Sequence, residues 1–160
     1  MLKLACLLHD VGKPDTWTIE ENGRHRFINH DAVGAELLKP ALKKMKFSKS
    51  QIKYITTLVR NHIYPSQLSR ENEEANEKPI FRMFRKLEDC TIDVLLLAMA
   101  DRLSAQGEAV TKEMTENLKE SYYLLSDIND KIKTLNGDMR KYMVTVGNEF
   151  SRNWSVALVK

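Results

Sequence analysis

Apolar residues recur at helical spacing through most of this chain of 160 residues. Helix-breaking residues are few, because only six glycines and four prolines occur. A short run of β-prone residues on each side of Asn22 and Gly23 predicts a hairpin over residues 16–28. Predicted helices span residues 2–11, 30–45, 49–62, 79–87, 92–105 and 112–135. The sequence therefore predicts an all-α fold that carries one small β-hairpin.

Turn and cap residues predict where several of these helices begin and end. Gly12 is predicted to end the first helix as a left-handed cap, and Pro14 to prevent its continuation. Pro40 is predicted to kink or split the second helix, because proline lacks an amide donor. Ser48 and Gln51 match a capping box that opens the third helix.

The second half of the chain contains the most apolar predicted helix. Pro65 and the polar residues 69–78 are predicted to form a loop before it. Thr91 is predicted to cap the helix over residues 92–105, which we expect to be the buried centre of the domain. Residues 138–160 lose clear helical periodicity and form an unassigned tail.

Charge and hydropathy exclude several classes of protein. The 25 basic and 22 acidic residues give a net charge of +3, which excludes a polybasic tail and an acidic disordered chain as the dominant character. The longest uninterrupted apolar run, Val94–Ala100, is far shorter than the roughly 20 residues that span a bilayer. We therefore expect no membrane partner. Cys6 and Cys90 lie in apolar segments without metal-site spacing, which indicates reduced thiols in a cytoplasmic protein.

Histidine and aspartate occupy positions that suit a metal site. His9 is followed directly by Asp10, and adjacent helical residues diverge by about 100°. The two side chains can still converge on an ion beside the helix. An imidazole paired with a carboxylate suits Zn, Mn, Fe, Co or Ni better than calcium. His30 and His62 lie at predicted helix ends, whereas His25 lies in the hairpin and is expected to be exposed to solvent.

Asp101 follows the apolar run Val94–Ala100 and precedes Arg102. A carboxylate in such a helix is costly unless it is paired or binds a metal. The ordinary explanation is an ion pair with Arg102 or a lysine.

Two other groups of residues leave alternatives open. A lysine cluster lies around the junction of the second and third helices: Lys43, Lys44, Lys46, Lys49 and Lys53. It is either a solvated face or a surface that docks an RNA backbone, since phosphate contacts need only positive charge. The residues Tyr122–Leu125 favour a core or subunit interface over a platform for stacking bases.

Four segments together resemble a known superfamily. The segment Leu7-Leu8-His9-Asp10-Val11-Gly12-Lys13-Pro14 resembles the signature of the HD-domain metal-dependent phosphohydrolases. Residues 27–35, 58–62 and 97–101 match, in order and separation, the HD domain that follows the catalytic head of bacterial tRNA nucleotidyltransferases and poly(A) polymerases. The resemblance implies an all-helical HD domain over residues 1–137.

The resemblance also implies a ligand set and a cofactor. A divalent metal is expected (Mn, Ni, Co, Fe, Zn or Mg), with five ligand candidates: His9, Asp10, Asp101, His30 and His62. In related proteins the histidines matching His30 and His62 bind a second metal or the substrate phosphate. Asp10 and Lys13 are the predicted catalytic residues, and Lys13 and Arg102 the predicted substrate-binding residues.

One departure from the family pattern and one absence bear on function. HD sites take a first histidine from a helix well upstream of the doublet, and only eight residues precede His9. The first helix of the HD domain is therefore expected to be missing, as in a piece of a longer protein or a shortened paralogue. The nucleotidyltransferase head has no counterpart, so we expect no nucleotide addition.

Two functional hypotheses follow from the resemblance. The first is an enzyme of the phosphodiesterase or phosphatase type, which hydrolyses a phosphoester of a nucleotide, an RNA end or another phosphorylated small molecule. The second is a non-catalytic RNA-positioning module, detached from a protein similar to a tRNA nucleotidyltransferase or poly(A) polymerase.

Overall fold

The computed structural model describes residues 1–71 and 77–106, together with Lys112, Thr115, Glu116, Lys119, Tyr123 and Asp127. Its helices over the two continuous ranges are α1 Leu2–Leu8, α2 Lys13–Thr16, α3 His30–Lys44, α4 Lys49–Asn61, α5 Tyr64–Glu71, α6 Glu77–Leu87 and α7 Thr91–Gln106. A two-stranded antiparallel hairpin joins α2 to α3, with strands β1 Trp17–Ile19 and β2 His25–Phe27. The predicted all-α class with one hairpin is confirmed.

The chain divides into two compact units, of which the first comprises Met1–Ile63 and the second begins at Tyr64. In the first unit, α3 packs along α4, and α1 also packs against α4. Its apolar core consists of Ala5, Ala35, Leu38, Leu42, Ile55, Leu58 and Val59. These residues recur at helical spacing, which is why three amphipathic helices can share one core.

The capping box at the start of α4 is confirmed. The Ser48 hydroxyl accepts a hydrogen bond from the Gln51 amide at 3.2 Å. The Ser48 amide donates in return to Gln51 Oε1 at 2.9 Å. Two amides that would lack partners at the helix start are thereby satisfied.

The first helix differs from its prediction, because α1 ends at Leu8 rather than near residue 11. Leu7 is 79% exposed and Val11 is also exposed. Gly12 has φ −83°, a right-handed conformation, so the left-handed cap is wrong. Pro14 lies in the first turn of α2, where proline is tolerated because that amide needs no partner.

Proline positions account for two further differences. Pro40 lies inside α3, which continues from His30 to Lys44, so the helix is not split there, and the alternative of a kink stays a prediction. Pro65 lies in the first turn of α5, so the chain is helical to Glu71 where a loop was predicted. Of that predicted loop, residues 72–76 lie outside the described residues, and α6 begins at Glu77.

In the second unit, α7 carries the buried apolar residues Val94, Leu95, Leu97 and Ala98. Thr91 is the first residue of α7, and its hydroxyl donates to the Glu88 carbonyl. The described positions between 112 and 127 are helical, as predicted, and Tyr123 among them is exposed. The rest of the predicted helix over 112–135 and the tail 138–160 lie outside the described residues. None of the described helices combines the length and the hydropathy needed to cross a membrane.

Candidate metal centre

The His-Asp doublet lies where α1 ends. His9 is the C-terminal cap of α1, and Asp10 begins the turn that leads to α2. The last carbonyls of a helix have no partner within the helix. His9 satisfies one of them, because its Nδ1–H donates to the Cys6 carbonyl at 2.7 Å. The ring is held in place by the helix that carries it.

His62 is placed in the same way at the end of α4. It is the C-terminal cap of that helix, and its Nδ1–H donates to the Val59 carbonyl at 2.7 Å. Its side chain is buried, with 1% of its surface exposed. A buried imidazole that contacts a carboxylate is unusual in a purely structural core, because apolar side chains fill such positions at lower cost.

His30 is the first residue of α3 and follows the hairpin. Asn29 before it has φ 62°, a left-handed conformation that asparagine adopts more readily than most residues. This turn directs the chain from β2 into α3. The His30 Nδ1–H donates to the Phe27 carbonyl at 2.7 Å.

The three histidines therefore share one orientation. Each Nδ1 faces a backbone carbonyl, which can only accept, so the Nδ1 proton is fixed there. In a neutral imidazole the lone pair is then on Nε2. Hydrogen bonds from the outer ring nitrogen to carbonyls are the usual way in which proteins orient histidine metal ligands.

The three Nε2 atoms converge on the Asp10 carboxylate. We name the four residues His9, Asp10, His30 and His62 the HD cluster. From Asp10, Oδ2 lies 3.2 Å from His9 Nε2, and Oδ1 lies 3.4 Å from His30 Nε2 and 3.9 Å from His62 Nε2. The Nε2 atoms of His30 and His62 are themselves 3.2 Å apart. The histidines are thus brought together from three helices separated in sequence.

The donor set fits a transition-metal ion. A tetrahedral ion with ligands at about 2.1 Å holds them about 3.4 Å from one another. The donor atoms of His9, Asp10 and His62 all lie within 4.8 Å of one another. Two imidazole acceptors only 3.2 Å apart repel unless a cation or a proton lies between them. The HD cluster could therefore hold a metal ion.

Asp10 carries a negative charge at the centre of the HD cluster. Partial burial acts to raise the pKa of its carboxyl, but hydrogen bonds and charge from His9 and Lys13 outweigh burial and hold that pKa well below its usual range. Lys13, one turn further along, forms an ion pair with Asp10. Its Nζ also lies 5.6 Å from the centroid of the Phe27 ring. A positive side chain thus lies beside the HD cluster, and the substrate role of Lys13 stays a prediction.

Two glycines allow the elements of the HD cluster to approach, and the sequence analysis did not identify this role. A Cβ at Gly12 would lie 2.2 Å from the His30 carbonyl oxygen and 2.6 Å from the Gly34 amide nitrogen. A Cβ at Gly34 would lie 3.1 Å from the Gly12 amide nitrogen. The turn after the doublet therefore lies backbone to backbone against α3. The available signal was a glycine in each of two motif segments, of which Gly12 was instead predicted to be a left-handed cap.

Three other predicted residues lie outside the HD cluster or stay predictions. His25 is exposed on the hairpin, as predicted, where its ring stacks on Trp17 at 5.5 Å. Asp101 and Arg102 are partly buried on α7, in the second unit. A ligand role for Asp101 and a substrate role for Arg102 remain predictions from the resemblance and the sequence.

Comparisons with known proteins show the family to which the chain is similar. Residues 1–106 match the family model of the HD domain. The CC-adding tRNA nucleotidyltransferase of Thermus thermophilus is 36% identical over 137 residues, which are 85% of this chain and 30% of that protein. The A-adding tRNA nucleotidyltransferase of Deinococcus radiodurans is 36% identical over 108 residues, 67% of this chain and 23% of that protein.

This chain thus spans less than a third of the length of the curated relatives it matches. No solved structure shows significant similarity to it. The match to the family model covers the whole HD cluster and both units of the described chain as far as the end of α7. The chain belongs to the HD domain family, and it is similar to a part of tRNA nucleotidyltransferases.

Proposed function

We propose that this chain is a metal-dependent phosphohydrolase that cleaves a phosphoester of a nucleotide or an RNA end. One observation carries the proposal. Three imidazoles whose Nδ1 protons are held by backbone carbonyls direct their Nε2 atoms at one carboxylate, and a bound cation would satisfy all four groups at once. The names of the relatives favour an RNA or nucleotide substrate.

His9, Asp10 and His62 would hold the ion, and His30 adjoins them. A divalent ion bound there lowers the pKa of a bound water and polarises a phosphoryl oxygen. The three Nδ1–H···O=C bonds orient the rings, so that each Nε2 faces the place where the ion would be held. Asp10 stays ionised because its pKa is low, so it binds a cation without first losing a proton. We propose Asp101 as an additional ligand, on the resemblance.

Lys13 is the residue we propose to contact the substrate phosphate. Its side chain is 37% exposed and lies beside Asp10, so its ammonium group is within reach of both the HD cluster and solvent. Positive charge placed against the phosphate oxygens stabilises the charge that develops there during hydrolysis. Arg102 is proposed as a second substrate contact.

The test is metal uptake together with hydrolysis of a generic phosphodiester such as bis(p-nitrophenyl) phosphate, with Mn, Ni, Co and Mg supplied in turn. The His62→Ala variant should lose metal binding and hydrolysis, because it removes a buried donor of the HD cluster. The matched control is His25→Ala, which removes an exposed histidine from the same unit. It should retain both. If the protein takes up none of these metals, and hydrolyses the phosphodiester with none of them, the proposal is contradicted.

A second function is favoured by the comparisons, namely a non-catalytic module that positions RNA. The chain matches only a part of two tRNA nucleotidyltransferases. RNA binding that weakens steeply with salt, in a protein that binds metal but hydrolyses no phosphoester, would identify this function.

Cys6 and Cys90 form no disulfide, in agreement with the cytoplasmic location that we propose for either function.

A further inference from the structure

Basic residues are segregated along this chain. Seven of its 25 basic residues, and none of its 22 acidic residues, lie between Leu37 and Arg60. All seven are exposed: Lys39, Lys43, Lys44, Lys46, Lys49, Lys53 and Arg60. The net charge of +3 conceals this asymmetry, which concentrates positive potential on the second half of α3 and on α4.

A groove between α3 and α4 collects four of these cations. It has a volume of about 440 Å³, and its lining includes Lys39 from α3 together with Lys49, Lys53 and Arg60 from α4. Because the α4 residues are spaced by four and seven positions, they lie on one face of the helix and extend over about 16 Å. Among the described residues, no acidic group pairs with Lys49 or Lys53.

One carboxylate pairs with two of these four cations. Glu36 accepts hydrogen bonds from Lys39 at 2.7 and 2.8 Å and from Arg60 at 2.7 Å, so it links α3 to α4. The hydrogen bonds and charge of Lys39, with those of Arg60, lower the pKa of Glu36. Two of the four cations are therefore held by an internal anion, and two are not.

We propose that the groove between α3 and α4 binds the sugar–phosphate backbone of an RNA strand. The choice of RNA as the partner rests on the proposed function, whereas the groove is lined by none of the residues of the HD cluster. A row of cations about 16 Å long is longer than one phosphate group needs and matches a strand that carries a charge at every nucleotide. None of the described residues that line the groove is aromatic, so it offers phosphate contacts and no stacking surface for bases.

The first experiment measures binding of a fluorescein-labelled single-stranded RNA to the full chain over a range of salt concentrations. Removal of both free cations, in Lys49→Ala/Lys53→Ala, should weaken binding. It should also reduce the slope of log K against log salt by about 0.7 for each lysine removed. The matched control is Lys3→Ala, an exposed lysine on α1 in the same unit. An unchanged slope in the double variant, or an equal loss in the control, would overturn the proposal.

The second experiment uses Glu36→Gln, which removes the anion that holds Lys39 and Arg60. RNA affinity should rise several-fold in this variant, since both cations become available to phosphates. If the role of the groove is only structural, RNA affinity should not rise. Unchanged or lower RNA affinity in a folded Glu36→Gln protein would therefore contradict the proposal.

Two controls separate this inference from the proposed function. The double lysine variant should take up metal and hydrolyse a small phosphodiester as the unmodified chain does. The His62→Ala variant should keep its RNA affinity. Polyglutamate tests for an acidic protein partner: if it binds the groove and RNA does not, the proposal of RNA is wrong.

Discussion

At the scale of single residues, the decisive property of the HD cluster is the direction of its histidine protons. The sequence predicted His9, His30 and His62 as site residues from a resemblance and from their positions at helix ends. It did not show that each Nδ1–H would donate to the carbonyl three residues earlier. For His9 and His62 this contact follows from their position after a helix, where carbonyls lack partners.

A metal ion bound by the HD cluster would compete with Lys13 for the Asp10 carboxylate. Lys13→Ala removes the ion pair to Asp10 and a nearby positive charge, so divalent-ion affinity should rise several-fold. Phosphodiester hydrolysis should nevertheless fall, by about 100-fold, if Lys13 contributes to the transition state as a preorganised donor does. Calorimetric titration with Mn²⁺ and steady-state hydrolysis at saturating metal measure the two effects separately.

The control for this variant is Lys3→Ala, which removes an exposed lysine from α1 and should change neither quantity. Weaker metal binding in Lys13→Ala would show that the lysine supports the HD cluster rather than the substrate. Unchanged hydrolysis would remove Lys13 from the catalytic residues.

At the scale of elements, the contact between the turn after α1 and the start of α3 determines the shape of the HD cluster. Gly12→Ala would place a Cβ 2.2 Å from the His30 carbonyl, and the atoms it meets are backbone that cannot rotate away. We expect a loss of unfolding free energy of about 1–3 kcal/mol, as for other overpacked positions. Metal affinity should fall as well, because Asp10 and His30 are displaced from each other.

Gly34→Ala is the graded comparison, since its Cβ would meet the Gly12 amide nitrogen at 3.1 Å, a smaller overlap. Its cost in denaturant unfolding should be below that of Gly12→Ala. Equal stability of Gly12→Ala and the unmodified chain would contradict the close contact.

The elements differ in how far the sequence could predict them. The capping box of α4 is local, so Ser48 and Gln51 were sufficient to predict it. The role of Gly12 could not be predicted locally, because the close contact that requires a glycine there is with α3, which is distant in sequence. Pro65 alone does not distinguish a loop from a first helical turn, because proline is favourable in both.

At the scale of the whole molecule, the HD cluster draws all of its residues from the first unit, Met1–Ile63. The resemblance adds Asp101, from the second unit. Composition could not predict that the HD cluster lies within the first unit, because the burial of its side chains and their approach to one another depend on how α1, α3 and α4 pack. The family pattern predicted both sets of residues at once, and the contribution of Asp101 stays a prediction that experiment can isolate.

Metal linkage provides that experiment. A ligand that binds only the folded state at 100 times its Kd adds about 2.7 kcal/mol of stability, so Mn²⁺ should raise the Tm of the unmodified chain and a chelator should reverse the rise. If Asp101 is a ligand, Asp101→Asn should weaken Mn²⁺ binding by at least about 10-fold and reduce this rise in Tm. Asp93→Asn is the matched control, because it makes the same change of charge at another partly buried position of α7. If Mn²⁺ raises the Tm of both variants equally, Asp101 is not a ligand. The metal would then be bound by residues of the first unit alone.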